Sequence, residues 1–148
     1  MLDRKTASDL YLNLLTPWEL TYKDVPQKDN FNIGNKEFTA FKRENALVFE
    51  SLTTIAEAHK NIEENIKFGV SDNHIIILQI GDNSRARSLF KHLRNSVAHA
   101  QVERIKIKNK WFLLFSAKSK NMYVLKAQIQ QSKLCDFIAA LKSTVNVM

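Results

Sequence analysis

The chain is poor in the residues that make tight turns and covalent cross-links. It has three glycines, two prolines and one cysteine among its 148 residues, which disfavours a loop-rich all-β fold and favours long helices. The single cysteine, Cys135, excludes an internal disulfide, and no group of cysteines and histidines has zinc-ligand spacing. The composition therefore predicts a reduced, cytoplasmic setting and gives no sign of a cofactor or metal.

Long apolar runs are also missing. The longest, at residues 75–78, is far below the roughly 20 residues that span a bilayer. The N-terminal stretch carries Asp3, Asp9 and Glu19 and lacks the uninterrupted apolar core of a signal peptide. We expect one domain over residues 1–148, which is long enough to bury a single core, and no membrane partner.

Positive charge is concentrated in the last third of the chain. Residues 1–100 hold 13 Lys and Arg against 13 Asp and Glu, whereas residues 101–148 hold 9 against 2, so the whole net charge of +7 lies after residue 100. Such asymmetry is typical of proteins that bind an anionic partner, most often nucleic acid. The alternative is a lysine-rich surface that only keeps the protein soluble.

The spacing of apolar residues predicts helices in most of the chain. The four segments with helical spacing are residues 7–15, 37–66, 84–100 and 132–145. Residues 21–35 are polar and contain Pro26 and Gly34, which predicts a loop. Residues 74–80 fit either a buried strand or a buried helix, because seven residues are too few to separate the two periods.

The apolar period changes from 3.6 to 2 after the third predicted helix. Three short segments separated by polar turns predict an antiparallel β-meander. They are residues 102–109, 111–117 and 122–129. The first of them has a basic face formed by Arg104, Lys106 and Lys108. The predicted fold class is mainly α, a helical bundle with a small antiparallel β-meander, about residues 102–129, inserted before the C-terminal helix.

The helix predicted over residues 84–100 carries two arginines and two histidines at heptad spacing. Arg87 and Arg94 share one edge of its polar side, and His92 and His99 share the other. The two edges are about 140° apart, so one Arg–His pair does not point at a single atom. If two copies of this helix met across a two-fold axis, their polar faces would form one cleft lined by two such pairs.

The combination of arginine and histidine fits RNA cleavage without a metal, because RNA supplies its own nucleophile, the 2′-hydroxyl. An imidazole accepts or donates a proton near pH 7, and a guanidinium binds a phosphate and stabilises charge that develops on it. Three Arg–x(4–6)–His matches occur, at Arg85–His92, Arg87–His92 and Arg94–His99. A chain of this composition produces such a match by chance roughly half the time, so a solvated helix face is the alternative reading.

The stretch LRNSVAH at residues 93–99 resembles the signature of the HEPN superfamily, which is Arg–x(4–6)–His with a polar residue, often Asn, directly after the arginine. The matches that start at Arg85 and Arg87 differ, because Ala and Ser follow those arginines. The predicted fold is also similar to a prokaryotic branch of HEPN proteins, with the motif in a late helix, then a small β insertion and a closing helix. This resemblance covers roughly residues 37–145.

The resemblance implies a metal-independent endoribonuclease that acts as a homodimer, as a toxin or a phage-defence effector. In this chain His99 would be the general base or acid, Arg94 would hold the scissile phosphate, and Asn95 would orient one of them. It also implies a cognate antitoxin or a nucleotidyltransferase as a partner. Some toxins of this group carry a tyrosine that the nucleotidyltransferase modifies, and Gln101 stands at that position here.

Further residues are predicted to contact RNA phosphates. They are Arg87 and His92 on the motif helix, and Arg104, Lys106 and Lys108 on the first strand of the meander. We expect Trp18 and Trp111 in the core or at a dimer interface. The alternative function is a non-catalytic HEPN-like module that binds RNA, a nucleotide or a partner protein.

Overall fold

A five-stranded mixed sheet forms the centre of the protein. The computed structural model describes residues 2–25, 30–64, 73–80 and 84–146. The strands are β1 (Val48–Leu52), β2 (His74–Leu78), β3 (Val102–Ile107), β4 (Lys110–Ser119) and β5 (Met122–Gln130). They lie in the order β1-β2-β5-β4-β3, with β1 parallel to β2 and all other neighbours antiparallel.

Helices pack on both faces of this sheet. They are α1 (Arg4–Leu10), α2 (Thr16–Leu20), α3 (Lys36–Glu44), α4 (Ile55–Glu64), α5 (Arg85–Ala98) and α6 (Leu134–Ser143). A π-helical turn at Tyr11–Leu15 joins α1 to α2, and the Thr16 N–H donates to the Tyr11 carbonyl five residues back. This widened turn lies directly before Pro17, which has no N–H to continue the usual ladder. No helix within the described ranges is both long and apolar enough to cross a bilayer.

Two tight turns connect β3, β4 and β5. Lys108 and Asn109 have φ of 49° and 66°, and Lys120 and Asn121 have φ of 50° and 65°. Positive φ at both turn residues is the type I′ geometry that matches the twist of a hairpin, and asparagine tolerates it better than most residues. The three antiparallel strands predicted for the meander are therefore confirmed, with β4 extending as far as Ser119.

The prediction of a mainly α fold is wrong. Helices hold 51% and strands 28% of the described residues, and the meander is only one part of a five-stranded mixed sheet. The ambiguous segment at 74–80 forms β2, which pairs with β1 on one side and β5 on the other. The two missing strands come from earlier in the chain, so the β-structure is central rather than an insertion.

The helix predicted over residues 37–66 is interrupted by a strand. Helix α3 ends before Ala46, which has φ of 48°, and β1 follows before α4 begins. The Asn73 side chain donates to the Asn45 carbonyl at 2.9 Å and links this junction to the start of β2. Backbone pairing between β1 and β2 outweighs the helical spacing of the apolar residues. Residues 65–66 of the prediction lie outside the described residues.

The other predicted helices are confirmed with shifted ends. The one at 84–100 corresponds to α5, and the one at 132–145 corresponds to α6 after a short 3₁₀ turn. The one at 7–15 is part of a longer helical segment that runs through Pro17 to the end of α2. The loop predicted at 21–35 contains a 3₁₀ turn, and its residues 26–29 lie outside the described residues.

The two faces of the sheet are covered by different helices. Ile75 and Ile77 belong to the main core, together with apolar side chains of α1, α3, α5 and α6. Ile76 lies between them and points to the opposite face, where α4 packs with Ala58 and Ile62 fully buried. A strand buried on both faces has no alternating pattern, which explains why this run could not be assigned from its sequence.

Aromatic contacts hold the N-terminal helical segment against α5. The ring of Phe90 lies 6.3 Å from that of Trp18 and 4.9 Å from that of Tyr22, between centroids. Phe90 is fully buried and Trp18 is 5% exposed, so Trp18 lies in the core, which is one of its two expected places. This packing lays α2 alongside the polar edge of α5.

Truncating Phe90 to alanine should remove much of this packing. We expect the free energy of unfolding to fall by about 3–5 kcal/mol, because a fully buried aromatic ring is replaced by a cavity. Urea denaturation measures the change. Leu20→Ala is the control, since Leu20 is 77% exposed at the end of α2 and its loss should have little effect. A small loss for Phe90→Ala, similar to that of the control, would contradict the described packing.

Candidate functional site

The C-terminal end of α5 places His99 beside a slightly strained turn. His99 is the C-cap residue, after which the Ala100 N–H donates to Val97 and the Gln101 N–H donates to Ser96. This pair of hydrogen bonds is the Schellman arrangement, which usually has glycine at its left-handed position. Here Ala100 occupies that position with φ of 54°, at a cost of about 1 kcal/mol. The imidazole of His99 is exposed beside this turn.

Arg94 is held from two sides. One terminal nitrogen, Nη1, donates to the Asn95 side-chain oxygen at 2.8 Å, and the other, Nη2, forms a close ion pair with Glu19 of α2. Its Nε is buried without a hydrogen-bond partner among the described residues. The Arg94 side chain is 27% exposed, so the guanidinium is oriented by the protein and remains reachable from solvent.

Arg94 and His99 do not meet within one chain. Arg94 points toward α2, whereas His99 lies at the exposed end of α5. No hydrogen bond joins the two side chains in the part of the protein that the structure describes. Their angular separation on the helix, about 140°, is preserved in the fold. One copy of the chain therefore presents a guanidinium and an imidazole that point in different directions.

Arg87 packs against α2 and the segment that follows it. Its guanidinium carbon lies 5.0 Å from the centre of the Trp18 ring, and its Nη2 donates to the Lys23 backbone carbonyl at 3.2 Å. The heptad spacing of Arg87 and Arg94 put both on one edge of α5, as the sequence predicts, but α2 covers that edge. The Arg87 guanidinium, which was predicted to contact an RNA phosphate, therefore binds other groups of the protein itself.

His92 is almost fully buried, although its side chain is among those that line a cleft of about 370 Å³ between α5 and the sheet. It is 3% exposed, and its Nε2–H donates to the Leu78 carbonyl at the end of β2, at 2.8 Å. Burial lowers the pKa of the imidazole, which favours the neutral form. An uncharged, enclosed ring is poorly suited to bind a phosphate, so the role predicted for His92 does not fit its place in the fold.

The basic face of β3 is organised around an exposed tryptophan. The Arg104 guanidinium carbon lies 3.7 Å from the centre of the Trp111 ring, and the Lys106 ammonium lies 5.5 Å from it. Arg104 is further oriented by Gln131, whose Oε1 accepts from its Nε at 2.8 Å. Trp111 is 39% exposed, so it lies at the surface. Lys108 is exposed in the adjoining turn.

A cleft next to the end of α5 contains a buried lysine that no motif in the sequence indicates. The cleft has a volume of about 450 Å³. It is lined by residues of β3, β4 and β5, among them Lys118 and Lys126, and by Ala100 and Gln101 between α5 and β3. Lys126 is 3% exposed, and burial lowers the pKa of its ammonium to about 8. In the sequence, the sign of this site was a single lysine within the apolar segment that forms β5. Among the described residues, no group of three or more His, Cys, Asp or Glu side chains is arranged to hold a metal ion.

Comparison with known proteins identifies one family. The family model described as HEPN pEK499 p136 matches residues 6–146. No curated protein and no solved structure gives a significant match to the chain. The matched range contains α5 with Arg94, Asn95 and His99, the residues on which the resemblance to HEPN proteins depended.

Replacing Ala100 by glycine should stabilise the protein. Glycine removes the steric cost of the left-handed conformation, and we expect a gain of about 0.5–1 kcal/mol in the free energy of unfolding. The control is Ala98→Gly, two residues earlier within the last turn of α5, which should lose a similar amount because glycine is unfavourable inside a helix. Equal effects of the two changes in urea denaturation would contradict the assigned helix end.

Lys126 should make stability rise with pH. Its pKa is about 8 in the fold against 10.5 ordinarily, so the unfolded chain binds the proton more tightly. The charged amine then destabilises the fold at pH 7, and this effect disappears as the pH rises from about 8 to about 10.5. We expect the Tm of the protein to rise between pH 7 and pH 10 relative to that of Lys126→Met, which has no titrating amine. Parallel curves for the two proteins would contradict this.

Proposed function

The chain belongs to the HEPN pEK499 p136 family, and on that premise we propose that it is a metal-independent endoribonuclease that acts as a homodimer. The observation that carries this proposal is the arrangement of Arg94, Asn95 and His99 on α5. Arg94 is oriented by a hydrogen bond to Asn95, and His99 is exposed at the helix end. Both groups needed for cleavage can thus be reached from solvent, although they point in different directions.

The reaction uses the RNA 2′-hydroxyl as nucleophile. An imidazole of His99 removes the hydroxyl proton, and the 2′-oxygen attacks the adjacent phosphorus. The bond from phosphorus to the 5′-oxygen breaks, which leaves a 2′,3′-cyclic phosphate and a 5′-hydroxyl that receives a proton from a protonated imidazole. Arg94 stabilises the negative charge that develops on the phosphoryl oxygens. Asn95 keeps the guanidinium in the orientation that this requires.

A second copy of the chain supplies the convergence that one copy lacks. Two α5 helices related by a two-fold axis would bring Arg94 of one subunit toward His99 of the other. Apolar surface beside His99 supports such an interface. A hollow of about 370 Å³ lies between α1 and the end of α5, lined by residues that include Tyr11, Val97 and Ala100, and Tyr11 is 56% exposed.

The cluster of Trp111, Arg104 and Lys106 would bind RNA outside the reacting phosphate. An exposed aromatic ring offers a surface on which a base can stack, and the neighbouring cations neutralise phosphates. Such contacts do not read a base sequence, so affinity should fall steeply with salt concentration. Lys108 extends the same basic surface into the turn between β3 and β4.

The biological role follows from this activity. A ribonuclease without strict base recognition limits growth, so we place the protein among toxins or phage-defence effectors that require a cognate antitoxin. Modification by a nucleotidyltransferase at the position of Gln101 is disfavoured, because glutamine lacks the tyrosine hydroxyl. The second candidate function is a non-catalytic RNA-binding module, which is favoured by the ion pair that neutralises Arg94.

Substitution of either motif residue should abolish cleavage. We expect His99→Ala and Arg94→Ala each to lower the rate of cleavage of a labelled RNA in EDTA by at least about 100-fold. The matched control is Arg43→Ala, an exposed arginine on α3, which should cleave at the normal rate. The Tm of His99→Ala should stay close to that of the unmodified protein, because the ring is exposed.

Two outcomes would contradict parts of this proposal. Cleavage that survives in folded His99→Ala protein would remove His99 from the mechanism. RNA binding without any cleavage by the unmodified protein would favour the binding module. Light scattering on the same samples tests the homodimer, and a strictly monomeric protein that cleaves RNA would contradict the composite site.

A further inference from the structure

Glu19 is shared between two cations. One carboxylate oxygen forms the close ion pair with Nη2 of Arg94, and the other lies 3.7 Å from the ammonium of Lys23. Glu19 is 38% exposed, so solvent and ligands can reach this group. The carboxylate therefore lies between the motif arginine and a second, more distant positive charge.

Lys23 is well placed to receive this carboxylate. It follows Glu19 by four residues, so the two side chains leave the same side of the N-terminal segment. The Lys23 backbone is held in place by Arg87, which donates to its carbonyl at 3.2 Å and lies against Trp18. A change in the partner of Glu19 would thus require rotation of side chains only, while the backbone stays where it is.

A carboxylate and a phosphodiester compete for the same part of an arginine. Both present anionic oxygens that the guanidinium binds through charge-assisted hydrogen bonds. In this structure Asn95 occupies one terminal nitrogen of Arg94 and Glu19 occupies the other, while Nε is buried. An RNA phosphate that approaches Arg94 consequently meets a group that is already neutralised.

We infer that Glu19 is an internal substitute for the RNA phosphate. Its carboxylate pairs with the charge of Arg94 until RNA displaces the carboxylate toward Lys23. This inference rests on the proposed role of Arg94 as a phosphate contact and adds the residue that sets its affinity. Exchange is feasible because a partly exposed ion pair contributes little net stability. This ion pair between Glu19 and Arg94, called the Glu19 latch below, therefore lowers RNA affinity without preventing binding.

Removal of the carboxylate charge tests the latch. Glu19→Gln keeps the shape of the side chain. It should bind a fluorescent 2′-O-methyl RNA oligonucleotide, which lacks the 2′-hydroxyl nucleophile and stays intact, about two- to fivefold more tightly by anisotropy. The matched control is Glu63→Gln. Glu63 also pairs with a basic side chain four residues away, that of His59, and is 58% exposed on α4. Both variants change the net charge equally, so the difference between their Kd values isolates the latch.

A second pair of variants tests the role of Lys23. Lys23→Met should weaken RNA binding, because Glu19 then has no other partner and stays on Arg94. In a Glu19→Gln background the same change should have little effect, because residue 19 then has no carboxylate for Lys23 to bind. An equal loss in both backgrounds would mean that Lys23 contacts RNA directly, and this part of the inference would be overturned.

The outcomes separate this inference from the proposed ribonuclease activity. If Glu19→Gln binds RNA no more tightly than Glu63→Gln, the latch is overturned, even where the unmodified protein cleaves RNA. If no protein cleaves RNA but Glu19→Gln binds it more tightly than the control, the latch stands and the catalytic proposal is lost. If none of the variants binds RNA, both are overturned.

Discussion

The contact between α2 and α5 determines the environment of the motif arginine. Trp18 is the centre of this contact, since its ring packs against Phe90 on one helix turn of α5 and against Arg87 on another. With α2 fixed in this way, Glu19 lies beside Arg94. Burial of aromatic side chains stabilises the fold by removing apolar surface from water. It thus also places an anion beside the arginine that we propose as the RNA phosphate contact.

One helix presents three different environments along its length. The side of α5 that faces the sheet is fully buried, the arginine edge is covered by α2, and the C-terminal end is exposed. Residues seven positions apart on α5 therefore lie in different environments. His92 is enclosed as a neutral ring while His99 is accessible, although they lie two turns apart on the same helix. Within one chain, Arg94 is therefore bound to Glu19 and lies far from His99, which is why the proposed chemistry calls for two copies of the chain.

The parts that could be predicted are those that depend on neighbours in sequence. The extent of α5, the three antiparallel strands and the position of His99 at a helix end all follow from local spacing and turn residues such as Asn109 and Asn121. Strand β1 could not be predicted, because its apolar residues fit a helix and only the pairing with β2 makes them a strand. Glu19 could not be connected to Arg94, because 75 residues separate them in the chain and no motif links them.

By itself, the sequence determined which chemical groups are present and how they are spaced on α5, since an α-helix converts spacing directly into angle. It therefore determined that Arg94 and His99 diverge and that Asn95 follows the arginine. Only the tertiary structure decided what each group meets: Glu19 for Arg94, the Leu78 carbonyl for His92, and the Trp111 ring for Arg104. The physical reason is that these contacts join segments far apart in the chain, and their formation depends on how the helices and the sheet bury apolar surface together.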